Sequence, residues 1–280
     1  MTRLLLAACF ALTVANKGYA DSLSYMTNVP GRNAISLNGK WQTIIDWYDR
    51  GEQRKIYLDE SPKNKNSFNE YSFAEFTLDV PGDWNSQRAD LEYYEGVIWY
   101  KREFEVTPKP GQRQFIHFGA VNYAAKVYLN GRLLGTHEGG FTPFQFEVTG
   151  RLRAGKNKLI VKVDNRRVAD GIPALNFDWW NYGGITRDVS LIVTPQSYIA
   201  DYFIQLKKGS KDTIAGWIRL QGNSGGESVA LSIPEANIRH TFRTAADGYV
   251  SFSFHAGVQR WSPSNPIRYH VDLKSASDRI

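Results

Sequence analysis

The chain alternates. In "VIWYKREFEV" (97–106), Ile98, Tyr100, Phe104 and Val106 fall on one side, and Lys101, Glu103 and Glu105 on the other; Arg102 breaks the pattern. In "NKLIVKVDN" (157–165), Leu159, Val161 and Val163 alternate with Ile160, Lys162 and Asp164. A period of two is that of a β-strand, whose successive side chains point to opposite faces. In "KVYLNGRLLG" (126–135) two apolar runs meet at Asn130-Gly131, a pair suited to the positive φ angles of a tight hairpin. No long helical period follows the first twenty residues. The pattern predicts an all-β chain of short strands and frequent Gly, Pro and Asn turns, hence β-sandwiches.

A boundary is expected near Pro195, where "RDVSLIVTP" (187–195) reads as a closing strand. A new series follows: "YFIQL", "TIAGWIRLQG", "ESVALSI", "GYVSFSF" and "IRYHVDLKS", in residues 202–275. About five strands in that length is the size of an immunoglobulin-like sandwich. The polar stretch 48–71, "YDRGEQRKIYLDESPKNKNSFNEY", reads as a surface insertion in the first sandwich.

The first twenty residues change the picture in another way. A basic start, "MTR", precedes the apolar run "LLLAACFALTVA" and a small residue before Asp21, the layout of a secretory signal peptide. The run is too short to span a membrane. Residues 1–20 are therefore expected to direct export to the periplasm or beyond, leaving residues 21–195 and 196–280 as the two sandwiches. Cys9 is the only cysteine, so the exported chain would hold no disulfide and no thiolate metal site. The five histidines show no close pair with ligand spacing, and neither metal nor cofactor is expected. Net charge is +6, and the basic residues are scattered, which argues against nucleic acid as a partner.

Aromatic residues make up 14%, with eight Trp. Large faces with one polar tip suit cores, and they also suit the C–H faces of sugars. In "NFDWWNYGGITRDVSL" (176–191), Asp178 lies among Phe177, Trp179, Trp180 and Tyr182. Two readings stay open for it. It is a turn or cap residue, or a partner of Arg187; or it is an acceptor for sugar hydroxyls, on an aromatic platform that excludes water.

Several motifs, in order, resemble the N-terminal part of glycoside hydrolase family 2. They are "LNGKWQ" (37–42), "VPGDWN" (80–85), "YYEGVIWYKREFEV" (93–106), the long run 117–166 through "LNGRLLGTHEGG", "DWWNYGGITRDVSL" (178–191) and "WSPSNPIRYHVDL" (261–273). The resemblance implies a jelly-roll, galactose-binding-like sandwich followed by an immunoglobulin-like sandwich. It implies further that Asp178 contacts the terminal sugar in an intact enzyme, with Asn181 and Tyr182 at the cleft edge. "NYGGI" is closer to glucuronidase-type members than to large galactosidases. Gly183 and Gly184 are expected to permit close packing, Arg187 to pair within the sandwich, Trp84 and Trp99 to be core or interdomain contacts, and "HEGG" to be a structural turn.

In the family, a (β/α)8 barrel of about 250 residues follows and carries both catalytic carboxylates. No such length remains here, and no residue is expected to be catalytic. A retaining glycosidase needs two carboxyls about 5 Å apart, one of them protonated; Glu92 with Glu95, and Glu103 with Glu105, are weak pairs. The expected function is the N-terminal portion of a secreted family 2 β-glycosidase. It would bind a β-linked oligosaccharide or glycoconjugate and support homo-oligomer contacts through its sandwiches in an intact enzyme. The alternatives are a free-standing carbohydrate-binding module and a structural β-sandwich protein.

Overall fold

The computed structural model describes residues 25–60, 72–73, 76–222 and 225–280. The expected signal peptide lies outside the described residues, as does 61–71 of the polar stretch. No helix among the described residues is long and apolar enough to cross a membrane.

The strands, numbered in chain order, are β1 (Ala34–Ser36), β2 (Gly39–Asp46), β3 (Phe76–Val80), β4 (Gly82–Asp83), β5 (Val97–Val106), β6 (Gln112–Phe118), β7 (Ala124–Leu129), β8 (Arg132–Glu138), β9 (Phe144–Glu147), β10 (Gly155–Asp164), β11 (Gly184–Ile185) and β12 (Val189–Pro195). After them come β13 (Tyr198–Leu206), β14 (Thr213–Gln221), β15 (Ser228–Ile233), β16 (Ile238–Arg243), β17 (Tyr249–His255) and β18 (Asp272–Lys274). A six-stranded sheet, β3-β2-β5-β10-β7-β8, faces a four-stranded one, β1-β12-β6-β9. Between them lie Trp41, Trp84, Ile98, Tyr100, Ile116, Val161 and Leu191, among others, all but sealed from solvent. The alternation in 97–106 resolves as expected, with Ile98, Tyr100, Phe104 and Val106 toward this core. Asn130 and Gly131 both have positive φ, 51° and 81°, and join β7 to β8 as a primed turn.

The outer face of the six-stranded sheet is apolar too. Ile44, Val97, Trp99, Tyr128 and Ile160 form a second cluster with Ile56 and Phe73. The described part of the polar stretch folds over it: Ile56 is buried, and Tyr57 stacks on Tyr128 at 4.7 Å. Asp46 anchors this cover, accepting from the backbone N–H of Arg50 and Gly51 and from the Trp99 indole at 3.0 Å. Charged groups seal the rim, with Lys162 donating to Asp49 at 2.6 Å and Lys126 to Glu52 at 2.8 Å.

β12 ends at Pro195 and β13 begins at Tyr198. The later strands form two three-stranded sheets, β13-β14-β17 and β16-β15-β18. They enclose Ile199, Ile214, Ile218, Val229, Leu231, Phe252 and Leu273. The sequence expectation of five strands is corrected at two places. Residues 238–243, "IRHTFR", form a strand the pattern did not reveal, because its inward middle position is His240, packed on Phe254 at 4.0 Å, rather than an aliphatic residue. In 267–275 only Asp272–Lys274 pairs. Met26, Phe115, Ile192, Tyr198 and Ala200 pack where the two sets of sheets meet. Arg32 fastens that junction by donating to Asp278 at 3.3 Å and to the Ile199 carbonyl.

Candidate functional site

Asp178 lies on a long connection without regular structure, between the end of β10 at Asp164 and the start of β11 at Gly184. Such a loop holds a shape only if its backbone polar groups find partners. Here they find buried asparagines. At the start of the loop, Asn165 accepts from the Gly96 N–H at 2.8 Å and donates to the Asn181 carbonyl at 2.6 Å. The Asn181 amide returns a bond to the Asn165 carbonyl. At its far end, Asn122 donates to Asn181 Oδ1 at 2.8 Å and to the Tyr182 carbonyl at 2.5 Å. Asn85 accepts from the Gly183 N–H at 2.9 Å. The two ends of the loop are thus tied together and to the sandwich core.

Gly183 is required by close approach: a Cβ there would lie 2.2 Å from Trp84 Cζ2 and 2.7 Å from Asn165 Cβ. Gly184 has φ 144° and pairs with Asp83. The middle of the loop is held by Arg167. It donates to Glu95 at 2.9 Å and to the Phe177 carbonyl at 3.2 Å, and its guanidinium lies 5.4 Å over Trp180. Trp180 meets Tyr93 edge to face at 5.5 Å. Phe177 and Trp179 lean together at 4.1 Å.

What this frame presents is an aromatic surface around one carboxylate. Tyr93, Phe177, Trp179 and Tyr182 are all exposed, the least of them by 40%. Asp178 is exposed, and among the described residues no hydrogen bond or ion pair engages it. The expected pairing of Arg187 within the sandwich takes the form of a bond to the Phe141 carbonyl at 3.4 Å. The Trp180 indole Nε1 is buried without a partner among the described residues. An exposed acceptor beside exposed rings can take hydroxyl donors while the rings cover apolar C–H surface.

The three residues expected at the site divide. Asp178 and Tyr182 are at the surface, but Asn181 is 2% exposed and its side-chain amide is bonded at both its oxygen and its nitrogen. Its place is under the loop, as a fastener, and not at a cleft edge. Sequence reasoning missed Asn122, Asn165, Arg167 and Glu95. Each lies far along the chain from its partner, and no local spacing announces the contact. Trp84 and Trp99 are both fully buried, in the core and under the 48–60 cover. "HEGG" ends β8 and enters a turn: His137 and Glu138 pair with β7, His137 Nε2 lies 3.1 Å from the Gly139 carbonyl, its ring stacks on Phe144 at 4.0 Å, and Gly139 has φ 122°.

Residues 7–195 match the model of the sugar-binding domain of glycosyl hydrolases family 2. The chain is 32% identical over 189 residues to a β-galactosidase of Thermoanaerobacter pseudethanolicus, covering 66% of this chain and 24% of that protein. It is 35% identical over 174 residues to a β-glucuronidase of Bacteroides fragilis, covering 60% and 22%. Among solved structures, an uncultured Clostridium sp. β-glucuronidase superposes with a TM-score of 0.73 at 27% identity, over 89% of this chain and 44% of that one. A Bifidobacterium dentium β-glucuronidase, solved with coumarin-3-O-glucuronide, gives 0.72 at 25% identity, over 89% and 47%. The chain therefore spans about a quarter of the curated relatives it matches and under half of those solved structures.

Proposed function

Because the chain belongs to glycosyl hydrolase family 2, we propose that it is the sugar-binding and immunoglobulin-like portion, divided near Pro195, of an exported β-glycosidase, and that Asp178 accepts hydrogen bonds from hydroxyls of the terminal sugar. The observation that carries this reading is the unengaged, exposed Asp178 on a loop whose ends are pinned by buried asparagines. A preorganised acceptor binds at less entropic cost than one that must be ordered by its ligand. Exposed rings on either side supply the apolar contact. Export rests on the layout of residues 1–20.

Bond cleavage is assigned to residues outside these 280. A general acid must be held protonated by its surroundings, whereas five carboxylates of this chain are held ionised by cationic neighbours. Asp49 and Glu52 lie below the usual range, since lysine and arginine contacts outweigh the burial that would raise them. Arg88 lowers Asp90, Arg113 lowers Glu147 and His270 lowers Glu235.

Within the β-glycosidases, a β-glucuronide is the preferred substrate class. "NYGGI" supports it, as do the β-glucuronidases among the structural neighbours. The test is saturation-transfer NMR of the chain with p-nitrophenyl β-D-glucuronide and β-D-galactoside. The expected result is transfer to the glucuronide, lost in Asp178→Ala and retained in Arg187→Ala. Transfer indifferent to Asp178, or absent for both glycosides, would overturn the reading.

A further inference from the structure

A second group of rings, one exposed and two half-buried, lies well away from the Asp178 loop along the chain, on the sheet β13-β14-β17. Phe203 stands directly opposite Trp217 in the register, and Tyr249 is diagonal to Trp217 on the next strand. The ring centroids are 6.4 Å and 6.1 Å apart, with planes inclined by only 23° and 30°. Carbon contact distance is about 3.5–4 Å, so neighbouring rings are offset and none fully covers the next. Phe203 is 46% exposed, and Trp217 and Tyr249 are half-buried.

Apart from Ala215, the positions that share this face are polar. Side chains two residues apart on a strand lie on the same side, which puts Asp201 and Gln205 beside Phe203, Arg219 beside Trp217, and Ser251 and Ser253 in line with Tyr249. The Arg219 guanidinium lies 5.6 Å over the Tyr249 ring. A face built to dock protein would be apolar at its centre and depleted of such charges. This one instead alternates rings with hydroxyl, amide, carboxylate and guanidinium groups, the mixture that a chain of sugars needs: C–H faces against rings and hydroxyls against polar neighbours.

The geometry also differs from that around Asp178. There the rings meet at 59° and 89°, as walls around one unit. On the β13-β14-β17 face they are near-parallel and run in a row across three strands, which suits an extended chain.

We propose that the row Phe203–Trp217–Tyr249 is an accessory binding face for a linear polysaccharide, separate from the Asp178 loop, that holds a polymer while its terminal unit is engaged elsewhere. Neither site needs the other to bind.

Native affinity electrophoresis of the full chain tests this, in gels cast with mixed-linkage β-glucan, galactan, xylan, hyaluronan or chondroitin sulfate. The expected result is retardation by at least one polymer. Trp217→Ala should weaken it by about tenfold or more in apparent Kd, Trp217→Phe should keep most of it, and Asp178→Ala should leave it unchanged. Should Trp217→Ala fail to fold, Phe203→Ala, at an exposed position, takes its place and should weaken retardation in the same way. Migration unaffected by every polymer, retardation undiminished in the ring variants, or retardation lost only in Asp178→Ala would each overturn the proposal.

Discussion

Asn122 and Asn181, 59 residues apart, are joined side chain to side chain, Nδ2 to Oδ1 at 2.8 Å. With Asn165 they make a buried cluster whose bonds go to one another, to backbone of the loop and to the Gly96 N–H. Removing one member strands the others, and an unsatisfied buried amide costs about 1–3 kcal/mol. Asn181→Ala is therefore expected to lower stability by about 2–4 kcal/mol, since more than one partner is stranded. It should also open residues 165–183 to protease. Urea unfolding and limited proteolysis check both effects; Arg187→Ala should show neither.

Gly183 faces a ring that cannot retreat, because Trp84 is fully buried and its indole donates to the Tyr94 carbonyl at 3.2 Å. Overpacking of this kind costs about 1–3 kcal/mol. Gly183→Ala should be destabilised by about that amount, with altered near-ultraviolet circular dichroism as Trp84 shifts.

What the sequence made legible, and what it hid, follows from range. The alternation in 97–106 and 157–165 and the Asn130-Gly131 turn are local facts, and the sheets reproduce them. The aromatic setting of Asp178 was equally local. The hidden parts depend on distant partners. Residues 48–60 look solvated by composition, yet Ile56 and Tyr57 roof an apolar sheet face whose residues lie on other strands. Asn181 sits in the middle of the motif, and only the fold shows that Asn122 and Asn165 turn it inward.

The rim of that roof gives a third prediction. The Lys162 side chain is 9% exposed and pairs with Asp49 and Glu52. Burial would depress its ammonium, but the Asp49 hydrogen bond and the two carboxylates hold it above its ordinary value. Breaking a buried pair costs about 3–5 kcal/mol; these carboxylates are about a third exposed, which reduces that. Lys162→Ala should cost about 1–2 kcal/mol, read as a lower midpoint in urea, and Lys162→Arg should cost less.

Stability should also fall in mild acid. Burial depresses the His117 imidazole below its ordinary value of 6.5, with Asp188 opposing only in part, and burial depresses His137 likewise. A folded histidine with a lowered pKa binds protons less readily than the unfolded one, so unfolding takes up protons. Stability is then full above about pH 6.5 and declines as the pH falls below it. His270 has the opposite sign, raised by Glu235, but it is fully exposed and screened. Thermal melts from pH 7.5 to 5 should show the decline, and His117→Gln should flatten it.

On the pinned loop, Asp178 is proposed to meet a sugar's terminal unit. This contact is tested most directly by following the indole 15N–1H signals of Trp179 and Trp180 while methyl β-D-glucuronide is added to the chain. These two signals should shift with a saturable dependence. The apparent Kd should rise about tenfold or more in Asp178→Ala, the loss of a charge-assisted hydrogen bond. Shifts confined to other tryptophans, or an unchanged titration in Asp178→Ala, would contradict it.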